Sequence, residues 1–168
     1  SLVTLIALTA AAWADGVGSV GPDDFTVLGV VQDSQSMLFV AADSPISDFK
    51  DFLARARADP GRLRVATSGR GTLDDLTLAL LAKAGYRSLN APFANPQERY
   101  AAALDRNTDA LFEEPGDVVS YLATGQLRPL VIFADQRQAE FAQVPAISEF
   151  GINIGDLPNF RSLAVNAN

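Results

Sequence analysis

Thr67-Ser68-Gly69-Arg70-Gly71-Thr72 combines hydroxyls, glycines and one guanidinium at a spacing suited to holding a small anion. Leu63-Arg64-Val65-Ala66 before it reads as a short strand. Leu73, Leu76, Thr77, Leu80, Leu81 and Ala84 after it recur at helical spacing, closed by Gly85. The first N–H groups of a helix lack internal partners and lie at the positive end of its dipole, so a strand, a glycine loop and a helix start make an anion seat. No Gly-Lys-Ser/Thr follows, so this is not a P-loop, and the third glycine of a nicotinamide fingerprint would fall on Asp74. Asp74 and Asp75 in the first helical turn disfavour a phosphate-rich guest, and a singly charged carboxylate suits the loop better. The same residues also have a reading without any ligand. Thr72 would be the N-cap and Asp75 the N3 acid of a capping box, with Gly69 and Gly71 supplying the turn.

Catalysis has little to draw on. The chain has no His and no Cys, which removes thiolate nucleophiles, Ser-His-Asp and Cys-His arrangements, disulfides and metal sites built on either residue. Acid–base work is left to carboxylates, Lys, Tyr and hydroxyls. Glu113-Glu114 are adjacent, so on an extended segment they point to opposite faces and do not converge; a solvated pair before Pro115 is expected. An enzyme using Asp109 with Glu113 lacks a convergent acid pair. Neither catalysis nor a cofactor is expected, and Trp13, Tyr86 and Tyr100 read as packing aromatics.

With 168 residues, 48% of them hydrophobic, the chain can bury a sizeable core. Its formal net charge of −7 argues against nucleic acid and against an anionic membrane surface. Leu2 to Ala14 is apolar and ends in small residues like a signal-peptide core, but the first basic residue is Lys50. A buried strand over Leu2–Leu8 is therefore expected. The stretch is too short and too rich in Thr and Ala to span or insert into a membrane.

The elements that must hold the loop alternate in type. Thr26–Val31, Met37–Ala41, Leu63–Ala66, Ser88–Phe93, Ala110–Phe112, Leu130–Phe133 and Arg161–Val165 read as extended, with Gly16 to Asp24 irregular. Helices are expected over Asp48–Ala58 with Ser47 as N-cap, over Leu73–Ala84, Gln97–Leu104 and Asp117–Thr124. The alternation predicts an α/β architecture with a mostly parallel sheet flanked by helices. Ligands bind beyond the carboxyl ends of such strands, where both Gly69–Thr72 and Phe93–Pro96 fall.

The order of motifs resembles the substrate-binding proteins of tripartite tricarboxylate transporters, the Bug family. Thr4-Leu5-Ile6 resembles the family's Tyr-Thr-Leu-Leu strand, and Asp24-Phe25-Thr26-Val27 its Asp-Phe-x-Pro-Val step. Leu38-Phe39-Val40 and Asp59-Pro60-Gly61 resemble the next strand and helix end, and Gly69-Arg70-Gly71-Thr72 the Gly-x-Gly-Ser loop. Ala91-Pro92-Phe93-Ala94-Asn95, Thr108-Asp109-Ala110, Gly125-Gln126-Leu127-Arg128-Pro129-Leu130 with Arg137, and Val144-Pro145 through Glu149-Phe150-Gly151 follow in the family's order.

The resemblance implies a type II-like, two-lobed periplasmic binding protein that closes on a small organic carboxylate and hands it to membrane permease subunits. Carried over by position, the ligand contacts would be Ser68, Gly69, Arg70, Gly71, Thr72, Phe93, Ala94 and Asn95. It further implies that residues 1–41 are a first-lobe remnant with a hinge strand, 42–157 the second lobe, and 158–168 a strand returning to the first. The first-lobe ligand loop is expected upstream of Thr4. On that reading the lobe alone binds weakly, and surface left by the missing lobe favours self-association. The alternative is an effector-binding domain of a transcription regulator with the same two-lobed design.

Overall fold

The computed structural model describes residues 4–6, 25–155, 157 and 159–166. The expected irregular stretch from Gly16 to Asp24, Trp13, and the remainder of the Leu2–Leu8 strand lie outside them. Strands are β1 (Thr4–Ile6), β2 (Phe25–Ser34), β3 (Met37–Ala41), β4 (Arg64–Thr67), β5 (Leu89–Pro92), β6 (Ala110–Glu113), β7 (Leu127–Ile132) and β8 (Asn159–Asn166). Helices are α1 (Phe49–Ala58), α2 (Leu73–Lys83), α3 (Pro96–Leu104) and α4 (Val119–Ala123), the last entered through a 3₁₀ turn at Pro115–Val118.

The strands form two sheets. One runs β1-β8-β2 and the other β5-β4-β6-β3-β7. The larger sheet is mixed, which refines the expectation of a mostly parallel one. β4 runs parallel to β5 and β6, whereas β3 runs antiparallel to β6 and β7. The half that carries the glycine loop is the parallel half. β3, grouped with residues 1–41 in the sequence division, is hydrogen-bonded inside this larger sheet.

Successive residues of the central strands face opposite layers. Leu38, Val40, Val65, Ala110 and Phe112 pack against α1 and α2 through Phe49, Phe52, Leu53, Ala56, Leu78 and Leu81. Met37, Phe39, Ala66 and Leu111 pack on the other side with Tyr100, Ala103 and Val118. Short apolar strands without polar alternation, such as Leu130–Phe133, are explained by this two-sided cover. Phe112 and Phe133 stack at 4.8 Å between centroids inside the first layer.

Helix α1 begins one residue later than expected. Asp48, not Ser47, is the N-cap: its backbone is extended and its carboxylate accepts from Asp51 N at 2.8 Å. Ser47 N instead donates to the Asp51 carboxylate, which also pairs with Arg55 one turn on. Asp51 therefore closes the helix entry from inside, and the capping role passes to the next available oxygen.

A crevice between two loops

The two loops predicted to hold the ligand leave neighbouring strands at the same end. Thr67 of β4 pairs with Pro92 of β5, and Phe93 N donates to Thr67 O at 2.9 Å. From there the chain diverges: residues 68–72 lead to α2 on one face of the sheet, and residues 93–95 lead to α3 on the other. Adjacent strands whose connections turn to opposite faces leave a crevice between them, the usual ligand position in such sheets.

The glycine loop is tightly self-bonded. Gly69 and Gly71 have φ of 148° and 72°, conformations that favour glycine. Ser68 donates through both N and Oγ to Asp74 Oδ2, at 2.8 and 2.7 Å. Gly71 N donates to Asp75 Oδ2 at 2.9 Å. Asp75 Oδ1 accepts from Asn90 Nδ2 at 2.6 Å, and Asn90 Oδ1 accepts from Thr67 Oγ1 at 2.5 Å.

The expected capping box is not formed. Thr72 occupies the N-cap position, but its hydroxyl donates to Gly69 O at 2.9 Å, and Asp75 reaches Gly71 N rather than Thr72 N. The left-handed Gly71 turns its own N–H toward the helix start, where the acid takes it. The amides of Gly69, Arg70 and Thr72 have no hydrogen-bond partner among the described residues. With the exposed Arg70 guanidinium, they are what this wall offers an anion.

On the facing loop, Ala94 and Asn95 are exposed and Phe93 is half-buried. Asn95 caps α3 by accepting from Gln97 N at 2.9 Å, and Pro96 follows at the first helical position.

Beneath the loops lie groups that sequence reasoning placed elsewhere. Glu113 and Glu114 are not solvated: they are 9% and 7% exposed. Their side chains part as adjacent strand residues must. Glu113 meets Arg99 of α3, whose Nε donates to Oε2 at 3.2 Å and whose Nη2 donates to the same oxygen. Arg99 Nη1 also donates to the Phe93 carbonyl at 3.2 Å.

Glu114 turns to β2 and β8 of the smaller sheet. It accepts from Ser34 Oγ, from Asn159 Nδ2 and, at 3.4 Å, from Gln32 Nε2. Burial pulls the Arg99 guanidinium pKa down, but the hydrogen bond and charge of Glu113 outweigh it and hold it above its ordinary value. Burial, reinforced by the Glu113 charge, pushes the neighbouring Tyr100 up to about 12. One signal for this cluster was present in the sequence. Arg99 sits beside Tyr100 on the buried side of α3, and a buried guanidinium requires a partner.

Asp109 precedes β6 and Glu113 ends it, their Cα atoms roughly 13 Å apart at 3.3 Å per residue, and Asp109 accepts from Arg64 N at 2.7 Å. Tyr86 and Tyr100 are packing aromatics. Arg57 lies over the Tyr86 ring at 4.6 Å, and Tyr100 meets Tyr121 edge-on at 5.7 Å. Among the described residues no group of three or more acids is placed to hold a metal ion, and no helix is long and apolar enough to cross a membrane. A cavity of about 460 Å³ lies elsewhere, lined by Ser47, Asp48, Arg137 and Glu149 among others and by none of the loop residues.

Comparison with known proteins points the same way. Residues 19–165 match the profile of the tripartite tricarboxylate transporter family receptor. A UPF0065 protein from the gbd 5′ region of Cupriavidus necator is 34% identical over 128 residues, covering 76% of this chain and 39% of that protein. A solved TctC solute-binding protein from Polaromonas superposes with a TM-score of 0.77 at 27% identity, over 99% of this chain and 57% of the other. MatC from Rhodopseudomonas palustris, solved with bound malate, superposes with a TM-score of 0.72 at 21% identity, over 88% of this chain and 51% of that one. The chain spans about 40% of the length of its curated relatives. These neighbours are two-lobed binding proteins, and the chain shares their α/β fold with a mixed sheet flanked by helices. The chain belongs to the tripartite tricarboxylate transporter receptor family.

Proposed function

We propose that this chain is the ligand-holding second lobe of a solute-binding receptor in a tripartite tricarboxylate-type uptake system. It takes a small organic carboxylate between two lobes in the periplasm and presents it to membrane permease subunits. Ser68, Gly69, Arg70, Gly71 and Thr72 form one wall, and Phe93, Ala94 and Asn95 the other. The observation that carries this reading is that the two loops leave adjacent parallel strands at the same end and turn to opposite faces of the sheet, in a chain of a receptor family. A ligand carboxylate there accepts from the free amides of Gly69, Arg70 and Thr72 and draws charge from Arg70.

The ligand is bound and released unchanged. Asp74 and Asp75 already satisfy Ser68 N and Gly71 N, so this wall tolerates one carboxylate rather than a cluster of negative charge. Closure of the other lobe excludes water and strengthens each contact. Proteins of this fold solved with malate and with adipate support a ligand with a carboxylate at each end, one for each lobe. The family match over residues 19–165 favours a receptor over a regulator's effector domain. Calorimetric titration of the intact protein with malate, adipate, citrate, aromatic acids and amino acids tests the reading. Saturable heat with at least one acid is expected. No heat from any of them, with folded protein, contradicts it.

A further inference from the structure

We propose that Arg99, Glu113 and Glu114 form a buried relay that fixes the 93–95 ligand loop to the β2–β8 pair of the smaller sheet, at the crossing where the chain passes between the two sheets. The inference rests on the reading of those loops as ligand walls. None of the three residues is proposed to touch ligand; they are positioning residues.

The connection can be followed atom by atom. The Phe93 carbonyl accepts from Arg99 Nη1, and Arg99 is clamped on Glu113 Oε2. Glu113 Oε1 accepts from Glu114 N at 3.0 Å, which joins the two acids through a single backbone amide. The Glu114 carboxylate is then gripped by Ser34 and Gln32 of β2 and by Asn159 of β8. Arg161 Nη1 holds the other end of Gln32, donating to Oε1 at 2.6 Å. Ser34 and Asn159 are partners at the end of the β2–β8 ladder, where the chain leaves β2 for β3 of the larger sheet and enters β8. Any change in the twist of that crossing therefore acts on Glu114 first, and through it on Glu113, Arg99 and the Phe93 carbonyl.

Energetics argue that the relay has a purpose beyond stability. Arg99 and Glu113 are 6% and 9% exposed. A buried ion pair seldom stabilises a fold more than apolar side chains of equal volume, and in some proteins such a pair fixes one arrangement instead. Here the held arrangement includes the wall of the crevice.

Amide hydrogen exchange in the ligand-free intact protein tests the inference. Phe93 N–H is a reporter of the loop, because it is bonded to Thr67 O. Glu114→Gln places a donor against the Asn159 and Ser34 donors while keeping the volume. It should speed exchange both at the Ser34–Asn159 crossing and at Phe93, by about tenfold. Ser34→Ala, a milder change that keeps the chain folded if the Gln variant is not, should move both sites in the same direction. Arg99→Lys keeps the charge but loses the fork, and should loosen the crossing from the other end. In the Ser34→Ala/Arg99→Lys pair the effects should be less than multiplicative, as for one shared network.

Exchange that rises at the crossing with Phe93 unchanged, or effects that simply multiply, overturns the relay. The measurement needs no ligand, so a failed titration with malate and adipate would leave it standing, and its own failure would leave the carboxylate reading standing.

Discussion

Gly71 is the residue on which the glycine loop turns. Its φ of 72° costs a residue with a Cβ about 1–2 kcal/mol, so Gly71→Ala should lower stability by that amount in urea denaturation. Gly69 is strained for other residues in the same way, at φ 148°, although a Cβ there would meet Thr72 Cγ2 at an ordinary 3.7 Å. Glu149 makes a second prediction at this scale. The Arg137 guanidinium, helped by the Ala146 amide, holds its carboxyl down at about 2, below the usual carboxylate value. A depressed folded pKa contributes stability that is complete above about pH 4.5 and is lost as pH falls toward 2. The difference in melting temperature between the wild type and Glu149→Gln should accordingly be constant from neutral pH to about 4.5 and shrink below it. A difference that stays constant down to pH 2 would show that the pair contributes nothing.

At the level of elements, the boundaries of α1 give a direct test. Asp48→Ala removes the oxygen that caps Asp51 N and should cost about 1 kcal/mol, while Ser47→Ala should cost close to nothing. Thermal or urea denaturation of the two variants distinguishes them. The same helix shows what was legible in the sequence. The spacing of Phe49, Phe52, Leu53 and Ala56 marked the helix and its buried face, because periodicity is a property of the chain itself.

Which oxygen closed the end was not legible, since Ser47 and Asp48 are both good caps and the choice was made by Asp51 reaching back. The glycine loop follows the same pattern. Strand, loop and helix could be read in order, but Asp74 and Asp75 could not be assigned to Ser68 and Gly71 without the turn that brings them together. Glu113 and Glu114 were the largest misreading. Their divergence followed from strand geometry, but their burial depended on Arg99, Ser34 and Asn159, which come from distant parts of the chain. A parallel sheet was inferred from alternating strands and helices. The antiparallel placement of β3 arises because it enters from the other sheet rather than through a helix.

At the scale of the whole molecule, β2 of the smaller sheet carries exposed apolar side chains. Val27, Leu28, Val30 and Val31 are 62%, 60%, 60% and 57% exposed, and the β2–β8 register shifts at Leu28 and at Val31. Apolar surface on this scale seeks cover. The 168-residue chain by itself should self-associate in sedimentation velocity, and replacing Val30 and Leu28 with Lys should reduce that association. Persistence of a monomer at high concentration would contradict the expectation. The larger sheet, by contrast, is covered on both faces and presents the two loops at the carboxyl ends of β4 and β5.

The most direct measurement follows the backbone amides of the intact protein by two-dimensional NMR while malate, adipate, citrate, benzoate and glutamate are titrated in turn. If the crevice is the carboxylate site, at least one acid saturates, with the largest shifts at Gly69, Arg70 and Thr72 and at Phe93, Ala94 and Asn95. Saturation with shifts confined to other parts of the chain, or no saturation by any of these acids, would contradict the account.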